Sequence, residues 1–528
     1  MKNQYAIRSS LLPLSLILLG LAVHWPSLTL GFLSDDYVLL EAVRQGKWHW
    51  LSPFPAGSPG YFRPLVLGSL KVVPSNLAAV HHLLNLVIHL GCTMLVYACA
   101  RSLQVSKGLA LVAGAWFCLH LANLTDVYWI SGRTDSLCSL FFLLGFWAFL
   151  RLWESRAQVW VAFTWLCVLA ALLCKEQAIV FVPVYATWSW YRIRFHRATP
   201  SMAIKVCFAG ILVLSSAYLS FIGRFASRMG QGIGMASPVQ MLSNMTKNWI
   251  FLAAPFSSAW MAEHRIPLLM AGLLVSLTLA LSVWRYWRKG KESLDCRTLA
   301  VFVAVISLTM LPTAVFLQST SPRLLYLPAA LMAILTARWL MGRPVFFHVL
   351  FVLSLLAMTL ASIREAGHWR RNDALAKRCA ADFARVMKSM SPDKPFVVLG
   401  APATRHGRLV FGNDMNHAFY HATYKRFGHF GNGSVVGQIE WRGGEPQIRA
   451  QKTGPGTYEC EIAAPSAFIY DPLAAVGSEF EYGAGKTTIL AMPGRGRVSA
   501  FRFTFRSKLL KEKPLVFDFN GETTFLLE

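Results

Sequence analysis

Long apolar runs follow one another along the first 363 residues, and short polar loops separate them. Since a helix needs about 20 apolar residues to cross a bilayer, we interpret these runs as membrane-spanning helices. The candidate spans are 9–30, 77–100, 107–122, 135–152, 158–174, 176–191, 203–222, 266–285, 298–317, 324–341 and 345–363. A further run, 240–262, reads as a re-entrant or interfacial helix, or as a twelfth span. The pattern predicts a mostly α, polytopic transmembrane helical bundle of about 11 spans.

The pattern changes after the last span. A helical segment is followed by short alternating runs that Gly and Pro residues punctuate, which is typical of strands and turns. We therefore predict a transmembrane domain over 1–365, a helical connector over 366–390 and a small, soluble, β-rich domain over 391–528. The first loop outside the membrane is expected to cover 31–76.

Composition supports a membrane protein, because only 15% of the residues are charged and the mean hydropathy is +0.44. The net charge is +25, and in the membrane part Lys and Arg concentrate in alternate short loops. This is the pattern of cytoplasmic loops, and it disfavours a nucleic-acid partner. It places the N-terminus in the cytoplasm, behind a signal anchor, and the C-terminal domain outside, provided that 240–262 does not cross fully.

Carboxylates are rare in the membrane part, and most collect at its predicted outer face. Acidic groups near a bilayer are costly and often functional. The adjacent Asp35 and Asp36 follow the first span. Two neighbouring carboxylates repel each other, so one of them is a candidate general base; the alternative is that the pair caps the following helix.

Several cations lie at the same predicted face. Arg63 either binds a lipid phosphate or contacts lipid headgroups. Lys175 and Glu176 either satisfy each other as an ion pair or leave Lys175 for a phosphate. Arg323, with Tyr326 beside it, is a third candidate phosphate ligand.

Polar residues inside the spans have a structural alternative. His82, Asn85 and His89 share one helix face, and such stripes more often join membrane helices by hydrogen bonds than bind a metal. Arg133 and Asp135 open the fourth span as a substrate site or as a structural ion pair. The ten cysteines show neither metal spacing nor a disulfide framework. No metal is expected.

Seven short motifs occur in a fixed order over residues 1–375. They are 32–37 (FLSDDY), 61–65 (YFRPL), 82–89 (HLLNLVIH), 129–135 (WISGRTD), 174–177 (CKEQ), 323–328 (RLLYLP) and 369–375 (WRRNDAL). In this combination the chain resembles the membrane glycosyltransferases of GT-C type, in particular the protein O-mannosyltransferase-like branch.

The resemblance implies an inverting transferase that uses a polyprenyl- or dolichyl-phosphate-linked sugar, mannose or a similar hexose, and needs no cofactor. It implies that Asp35, or else Asp36, is the base. Arg63, Lys175 and Arg323 would neutralise the leaving phosphate, and Asp126 and Asp135 would bind sugar or acceptor. The other candidate substrate-binding residues are Glu176, Tyr326, Arg133, His82 and Asn85. The acceptor could be a protein, a lipid or a glycan, and the membrane is predicted to be a bacterial inner membrane.

Two other functions compete with this one. A polytopic transporter or lipid-linked sugar flippase would place charges near the bilayer midplane and often shows repeated halves, whereas these carboxylates are predicted at the outer boundary. A non-enzymatic scaffold would use the external domain to bind a partner.

Overall fold

The computed structural model describes the N-terminal two thirds of the chain in long stretches and the C-terminal part in shorter ones. The described residues are 13–44, 62–223, 236–253, 294–315, 322–388, 390, 394–399, 402–405, 408–409, 415–424, 433–436, 439–441, 448–462, 475–481, 484–492, 499–511, 514–519 and 524–527. The chain divides into two compact units: Met1–Thr29 with Lys47–Ala366, and Leu30–Gly46 with Gly367–Glu528.

Helices dominate the described residues. They are α1 (Leu14–His24), α2 (Asp36–Arg44), α3 (Pro64–Val72), α4 (Ala78–Ser102), α5 (Lys107–Leu119), α6 (Leu124–Tyr128), α7 (Arg133–Ser155), α8 (Val159–Leu172), α9 (Phe181–His196), α10 (Met202–Gly223), α11 (Pro238–Ala253), α12 (Leu294–Ala314), α13 (Tyr326–Leu340), α14 (Val345–Met387), α15 (Met415–Tyr424) and α16 (Ser507–Leu510). Short 3-10 helices cover Trp25–Thr29, Leu121–Asn123, Ile130–Gly132, Glu176–Val180 and Pro322–Leu325.

Five of the described helical segments are long and apolar enough to cross a membrane. They are Ala78–Ser102, Ile130–Ser155, Met202–Ile222, Arg323–Leu340 and Val345–Met387. The pair Lys107–Leu119 and Leu121–Tyr128, bent by 48°, makes a sixth if it forms one span. The protein is therefore a mostly helical integral membrane protein.

The predicted number of about 11 spans is not confirmed. Three of the predicted spans correspond to shorter apolar helices, Leu14–Thr29, Val159–Leu172 and Val301–Ala314. The predicted span 266–285 lies outside the described residues. The run 240–262 begins as the helix Pro238–Ala253, and its remainder is not described, so its crossing stays a prediction.

Helix α4 has its polar and apolar faces arranged as in a membrane helix that packs among others. Its polar residues His82, Asn85 and His89 are fully buried, whereas Leu83 and Val87 on another face are 44% and 54% exposed. Since lipid takes the place of water around a spanning helix, the polar groups must find partners inside the bundle. This face of α4 accordingly lines the polar interior described below.

Aromatic packing fixes the neighbouring helices α7 and α9. The rings of Phe142 and Phe181 stack with their centroids 4.2 Å apart, and those of Phe149 and Tyr185 stack at 4.4 Å. Gly145 makes this approach possible, because a Cβ there would lie 3.0 Å from the Tyr185 hydroxyl. Helix α7, whose first turn carries candidate site residues, is thereby packed against α9.

The second unit contains strands as well as helices. The strands are β1 (Phe396–Leu399), β2 (Pro402–Arg405), β3 (Arg408–Leu409), β4 (Gly433–Val436), β5 (Ile439–Trp441), β6 (Ile448–Gly454), β7 (Thr457–Ile462), β8 (Glu479–Glu481), β9 (Gly485–Ala491), β10 (Ala500–Phe505), β11 (Leu515–Phe519) and β12 (Thr524–Leu527). They form sheets in the orders β12-β11-β1-β4, β6-β7-β10-β9-β8 and β3-β2-β5. Strand β1 is parallel to both β4 and β11, and the five-stranded sheet is antiparallel.

Alternating apolar and polar side chains explain how the five-stranded sheet buries one of its faces. In β10 the side chains of Phe501, Phe503 and Phe505 are buried, while Arg502 between them is exposed and pairs with Glu459 at 2.6 Å. A period of two with one apolar face is what a sheet with one covered side requires. A second core, built on the stacked rings of Phe383 and Phe419, joins α14 to α15.

The division into 1–365, 366–390 and 391–528 stays a prediction. The compact units separate between Ala366 and Gly367, within α14, and Leu30–Gly46 groups with the C-terminal part of the chain. The predicted first external loop, 31–76, is therefore shared between the two units, and its residues 45–61 lie outside the described part.

Candidate functional site

The predicted aspartate pair lies in a tight turn at the start of α2. Asp36 is buried, and its Oδ2 accepts a hydrogen bond from the backbone N–H of Leu33 at 2.9 Å. Ser34 has a left-handed backbone, with φ at +49°, and its hydroxyl donates to Asp35 Oδ1 at 3.0 Å. Asp35 is only half-buried. The Asp36 carboxylate thus shapes the turn, and Asp35 is the more accessible carboxylate.

Residues from the far end of the chain hold this turn within the second unit. Asp373 accepts a hydrogen bond from the Gly31 N–H at 3.0 Å and pairs with Lys377 at 2.6 Å. Tyr37 packs against Phe32, with ring centroids 5.9 Å apart. Burial, then the charges of Asp36 and Asp373, raise the pKa of the Tyr37 phenol above its ordinary value, so the phenol stays neutral. His421 of α15 lies 5.6 Å from the Tyr37 ring.

In the first unit, the neighbours Lys175 and Glu176 pair with different partners. The backbone is extended at Lys175, after α8 ends, so that successive side chains point apart. Lys175 forms a buried ion pair with Asp135 of α7. Glu176 pairs with Arg63, whose Nη2 lies 2.9 Å from Oε1 and 3.3 Å from Oε2. The interpretation of Lys175 and Glu176 as a self-satisfied pair is therefore wrong.

The Arg63–Glu176 pair is the more accessible of the two. Its side chains are 21% and 38% exposed, against 9% and 7% for Lys175 and Asp135. Burial alone would raise the pKa of Glu176, but the positive charges of Arg63 and Lys175 outweigh it and hold this pKa below its ordinary value. Glu176 is therefore ionised near neutral pH.

Arg323 and Asp126 complete the charged group. The guanidinium of Arg323 lies over the Trp129 ring, 4.9 Å from its centroid, and its Nε has no hydrogen-bond partner among the described residues. Asp126 is fully buried, and both its carboxylate oxygens lack a hydrogen-bond partner in the described part of the chain. The neighbouring charges acting on Asp126 are those of Asp135, Arg323 and Lys175.

Arg133 and Asn85 form a hydrogen-bonded node between α3, α4 and α7. Arg133 is fully buried; its Nε donates to Asn85 Oδ1 at 2.7 Å, and its Nη2 donates to the His81 carbonyl at 2.8 Å. Its Nη1 contacts the Ser69 carbonyl at 3.2 Å. The amide of Asn85 donates to the carbonyls of Asp126 and Trp129 at 3.0 and 2.9 Å. We interpret these two residues as structural supports of the loop that carries Asp126.

His82 and Tyr326 are the remaining predicted site residues of the first unit, and both are buried. His82 is fully buried on α4. The hydroxyl of Tyr326 lies 2.7 Å from His89 Nδ1, and His89 Nε2 lies 3.1 Å from the Cys118 carbonyl. His24 lies 2.9 Å from the same carbonyl through its Nε2. Sequence reasoning missed His24, and the available signal was a lone histidine at the end of an apolar run.

The structure thus brings six predicted residues into one charged group in the first unit. They are Arg63, Asp126, Asp135, Lys175, Glu176 and Arg323. Asp35 and Asp36 belong to the second unit. Paired cations at the ends of apolar helices are suited to bind an anion that carries a lipid tail.

Comparison with known proteins agrees with the motifs. The chain is 34% identical over 134 residues to the protein O-mannosyl-transferase Tmtc1 of Drosophila melanogaster. The matched region covers 25% of this chain and 16% of Tmtc1. The chain is 31% identical over 196 residues to Tmtc2 of the same organism, covering 33% and 21% of the two chains. Part of this chain is similar to the protein O-mannosyl-transferases. The resemblance inferred from the motifs is confirmed.

This similarity is partial. Human protein O-mannosyl-transferase TMTC3 is 27% identical over 184 residues, which cover 31% of this chain and 20% of the relative. The chain therefore matches about a fifth of the length of these relatives. No family model matches the chain.

Two solved membrane proteins superpose weakly. The oligosaccharyltransferase of Archaeoglobus fulgidus, tethered to an acceptor peptide, gives a TM-score of 0.43 with 11% identity over 81% of this chain and 64% of that one. ArnT from Cupriavidus metallidurans, bound to undecaprenyl phosphate, gives 0.32 with 16% identity over 74% and 82%.

Proposed function

We propose that this protein is an inverting glycosyltransferase that moves a sugar, mannose or a similar hexose, from a polyprenyl-phosphate carrier to an extracytoplasmic acceptor. The observation that carries the proposal is the charged group of the first unit, in which Arg63, Lys175 and Arg323 are each held by a carboxylate or an aromatic ring. The partial similarity to protein O-mannosyl-transferases supports the same reaction class.

We propose that the three cations contribute to phosphate binding in different ways. Arg63 is partly exposed and paired with an ionised Glu176, so a phosphate can take the place of that carboxylate without leaving a buried charge alone. The Nε of Arg323, which has no hydrogen-bond partner in the part of the chain that the structure describes, is available for a phosphate oxygen. Lys175 stays paired with Asp135 and adds positive charge. Hydrogen-bond donors that are already in position before the reaction best stabilise the negative charge that develops on the leaving phosphate.

Asp35 is proposed to be the general base. Its carboxylate would remove the proton from an acceptor hydroxyl, whose oxygen then attacks the anomeric carbon. The bond from that carbon to the phosphate oxygen breaks, and the polyprenyl phosphate leaves on the opposite face, which inverts the configuration. Asp36 is the second candidate, but its carboxylate already accepts the Leu33 N–H, and we assign it mainly to shaping the turn.

Asp126 is proposed to accept hydrogen bonds from sugar or acceptor hydroxyls, because its buried oxygens lack partners among the described residues. The proposed acceptor is a protein, a lipid or a glycan, and the reaction needs no metal cofactor. We place the protein in a bacterial inner membrane, with the N-terminus in the cytoplasm and the C-terminal part outside. The loop charges of the sequence support this orientation.

Mass spectrometry of membrane lipids in a deletion strain tests the proposal. Loss of the transferase should make a polyprenyl-phosphate hexose accumulate, and the wild-type chain should restore the normal level. Arg323→Gln should fail to restore it, whereas Lys107→Gln, which changes an exposed lysine at the start of α5, should succeed. An unchanged lipid-linked sugar pool in the deletion strain would contradict the proposal.

A further inference from the structure

Three side chains with metal-ligand chemistry converge inside the first unit. They are His24 at the end of α1, His89 in α4 and Cys118 in α5, and their candidate ligand atoms lie within 4.8 Å of one another. All three are buried. They belong neither to the ion pairs nor to the aspartate turn, and the proposed transfer reaction does not use them.

The hydrogen bonds set the tautomer of both imidazoles. His24 Nε2 and His89 Nε2 lie 2.9 and 3.1 Å from the Cys118 carbonyl. A carbonyl only accepts, so each Nε2 carries the proton and each Nδ1 presents a lone pair. The carbonyl is open to both rings because α5 ends at Leu119, and the Ala122 N–H binds His120 Nδ1 at 3.2 Å.

An Nε2 that donates to a carbonyl and an Nδ1 that keeps its lone pair are compatible with metal binding through Nδ1. A ligating imidazole usually donates its other N–H to a backbone carbonyl or a carboxylate, which fixes the ring and leaves the lone pair free. His24 Nδ1 has no hydrogen-bond partner among the described residues. His89 Nδ1 accepts from the Tyr326 hydroxyl at 2.7 Å, a contact that rotation of the hydroxyl hydrogen releases.

Capping of the Cys118 carbonyl is the simpler explanation of these contacts. It accounts for the two Nε2 atoms, and it leaves the buried lone pair of His24 unexplained. A buried polar atom that makes no hydrogen bond destabilises the folded state.

We propose that His24, His89 and Cys118 form a binding site for a thiophilic d10 metal ion, Cu⁺ or Zn²⁺. Two imidazoles and one thiolate are ligands that both ions accept. On binding, the Cys118 thiol releases its proton and forms the sulfur–metal bond. Cu⁺ with one thiolate is neutral, which suits a buried site better than the net positive charge left by Zn²⁺. The site departs from the expectation of no metal and would join α1 to α4 and α5.

Metal content of the purified full-length protein tests this site. The protein is loaded with Cu⁺ under reducing conditions or with Zn²⁺, washed with a chelator and analysed for bound metal. The wild type should retain one ion per chain and unfold at a higher temperature when loaded. Cys99→Ser is the matched control, because Cys99 is a buried thiol of α4 outside the cluster, and it should behave as the wild type.

Two variants test whether these side chains bind a metal or whether the histidines only cap the Cys118 carbonyl. His24→Gln keeps a side-chain N–H for the Cys118 carbonyl but removes the imidazole lone pair, so it should fold and lose the retained ion. Cys118→Ser should lose it as well. A wild type that retains neither ion would overturn the proposal, and so would equal retention by the wild type and His24→Gln.

Discussion

Asn85 makes several buried hydrogen bonds that join α4 to the loop around Asp126 and to Arg133. Its amide holds two carbonyls of the loop around Asp126, and its oxygen accepts from the fully buried Arg133. Replacement by an apolar side chain leaves several buried polar groups unpaired, each costing about 1–3 kcal/mol. Asn85→Leu should therefore lower the unfolding temperature of the detergent-solubilised protein clearly.

The control for this variant is Val87→Ala on the same helix. Val87 is 54% exposed, and exposed substitutions usually change stability by less than about 0.5 kcal/mol. Equal unfolding temperatures for Asn85→Leu and the wild type would show that the node does not support the loop.

Asp35 gives a sharper prediction about rate. If its carboxylate is the base, Asp35→Asn should lower kcat by about 10²–10⁴-fold, with little change in the KM for the lipid-linked donor. Glu154→Gln, in an exposed ion pair of α7, is the control and should leave kcat unchanged. Full activity of Asp35→Asn would remove this residue from the mechanism, and activity of Asp36→Asn should then be measured.

Glu176 predicts a dependence of stability on pH. Its pKa lies below the ordinary value of 4.5, so the ion pair with Arg63 stabilises the folded state above pH 4.5 and loses that contribution as the pH falls through the lowered pKa. The difference in unfolding temperature between wild type and Glu176→Gln should be constant near neutral pH and shrink below pH 4.5. A difference that disappears already near neutral pH would contradict the assignment.

At the scale of elements, the turn before α2 depends on the C-terminal part of α14. A Cβ on Gly31 would lie 3.0 Å from both Asp373 Oδ1 and Lys377 Cε, which is tighter than ordinary contact. Gly31→Ala should displace the Asp373 anchor and reduce sugar transfer. Gly367→Ala in α14 meets nothing within 4 Å and should be neutral or slightly stabilising, since alanine favours helix.

Transfer rates and unfolding temperatures of the two alanine variants decide this point. The account expects a slower Gly31→Ala and an unaffected Gly367→Ala. Equal rates would mean that the contact between Gly31 and Asp373 does not position the aspartate turn.

The polar stripe of α4 shows what helix periodicity can predict and what it cannot. A spacing of three and four residues places His82, Asn85 and His89 on one face, and Asn85 and His89 do bond to neighbouring elements. The stripe could not reveal that Asn85 would serve Arg133 or that His89 would meet His24. Those partners depend on how the helices pack, which periodicity does not determine.

At the scale of the whole molecule, apolar runs predict a membrane protein but not its pairings. Lys175 reaches Asp135 across 40 residues of sequence, and Arg63 reaches Glu176 across 113. Neighbouring charges at 175 and 176 suggested a pair with each other, and an extended backbone directs them apart. The grouping of Leu30–Gly46 with the C-terminal part rests on contacts such as that of Gly31 with Asp373, which no local pattern reveals.

The order of the motifs along the chain predicts the function better than any single residue does. Asp35, Arg63, Lys175 and Arg323 are candidates by charge and predicted position, and the resemblance to one family implies a joint role for them; part of the chain is similar to members of that family. Arg133 lies in one of these motifs as well, and its bonds to Asn85 and to backbone carbonyls are those of a structural residue. A motif does not separate a residue that binds substrate from one that supports it.

Sugar transfer by the purified protein in liposomes tests the central claim most directly. With a polyprenyl-phosphate hexose in the bilayer and acceptor-containing membrane extract outside, the account predicts release of polyprenyl phosphate and a product with inverted anomeric configuration, both lost in Asp35→Asn. Movement of the intact lipid-linked sugar across the bilayer, without release of polyprenyl phosphate, would contradict the account and identify a flippase.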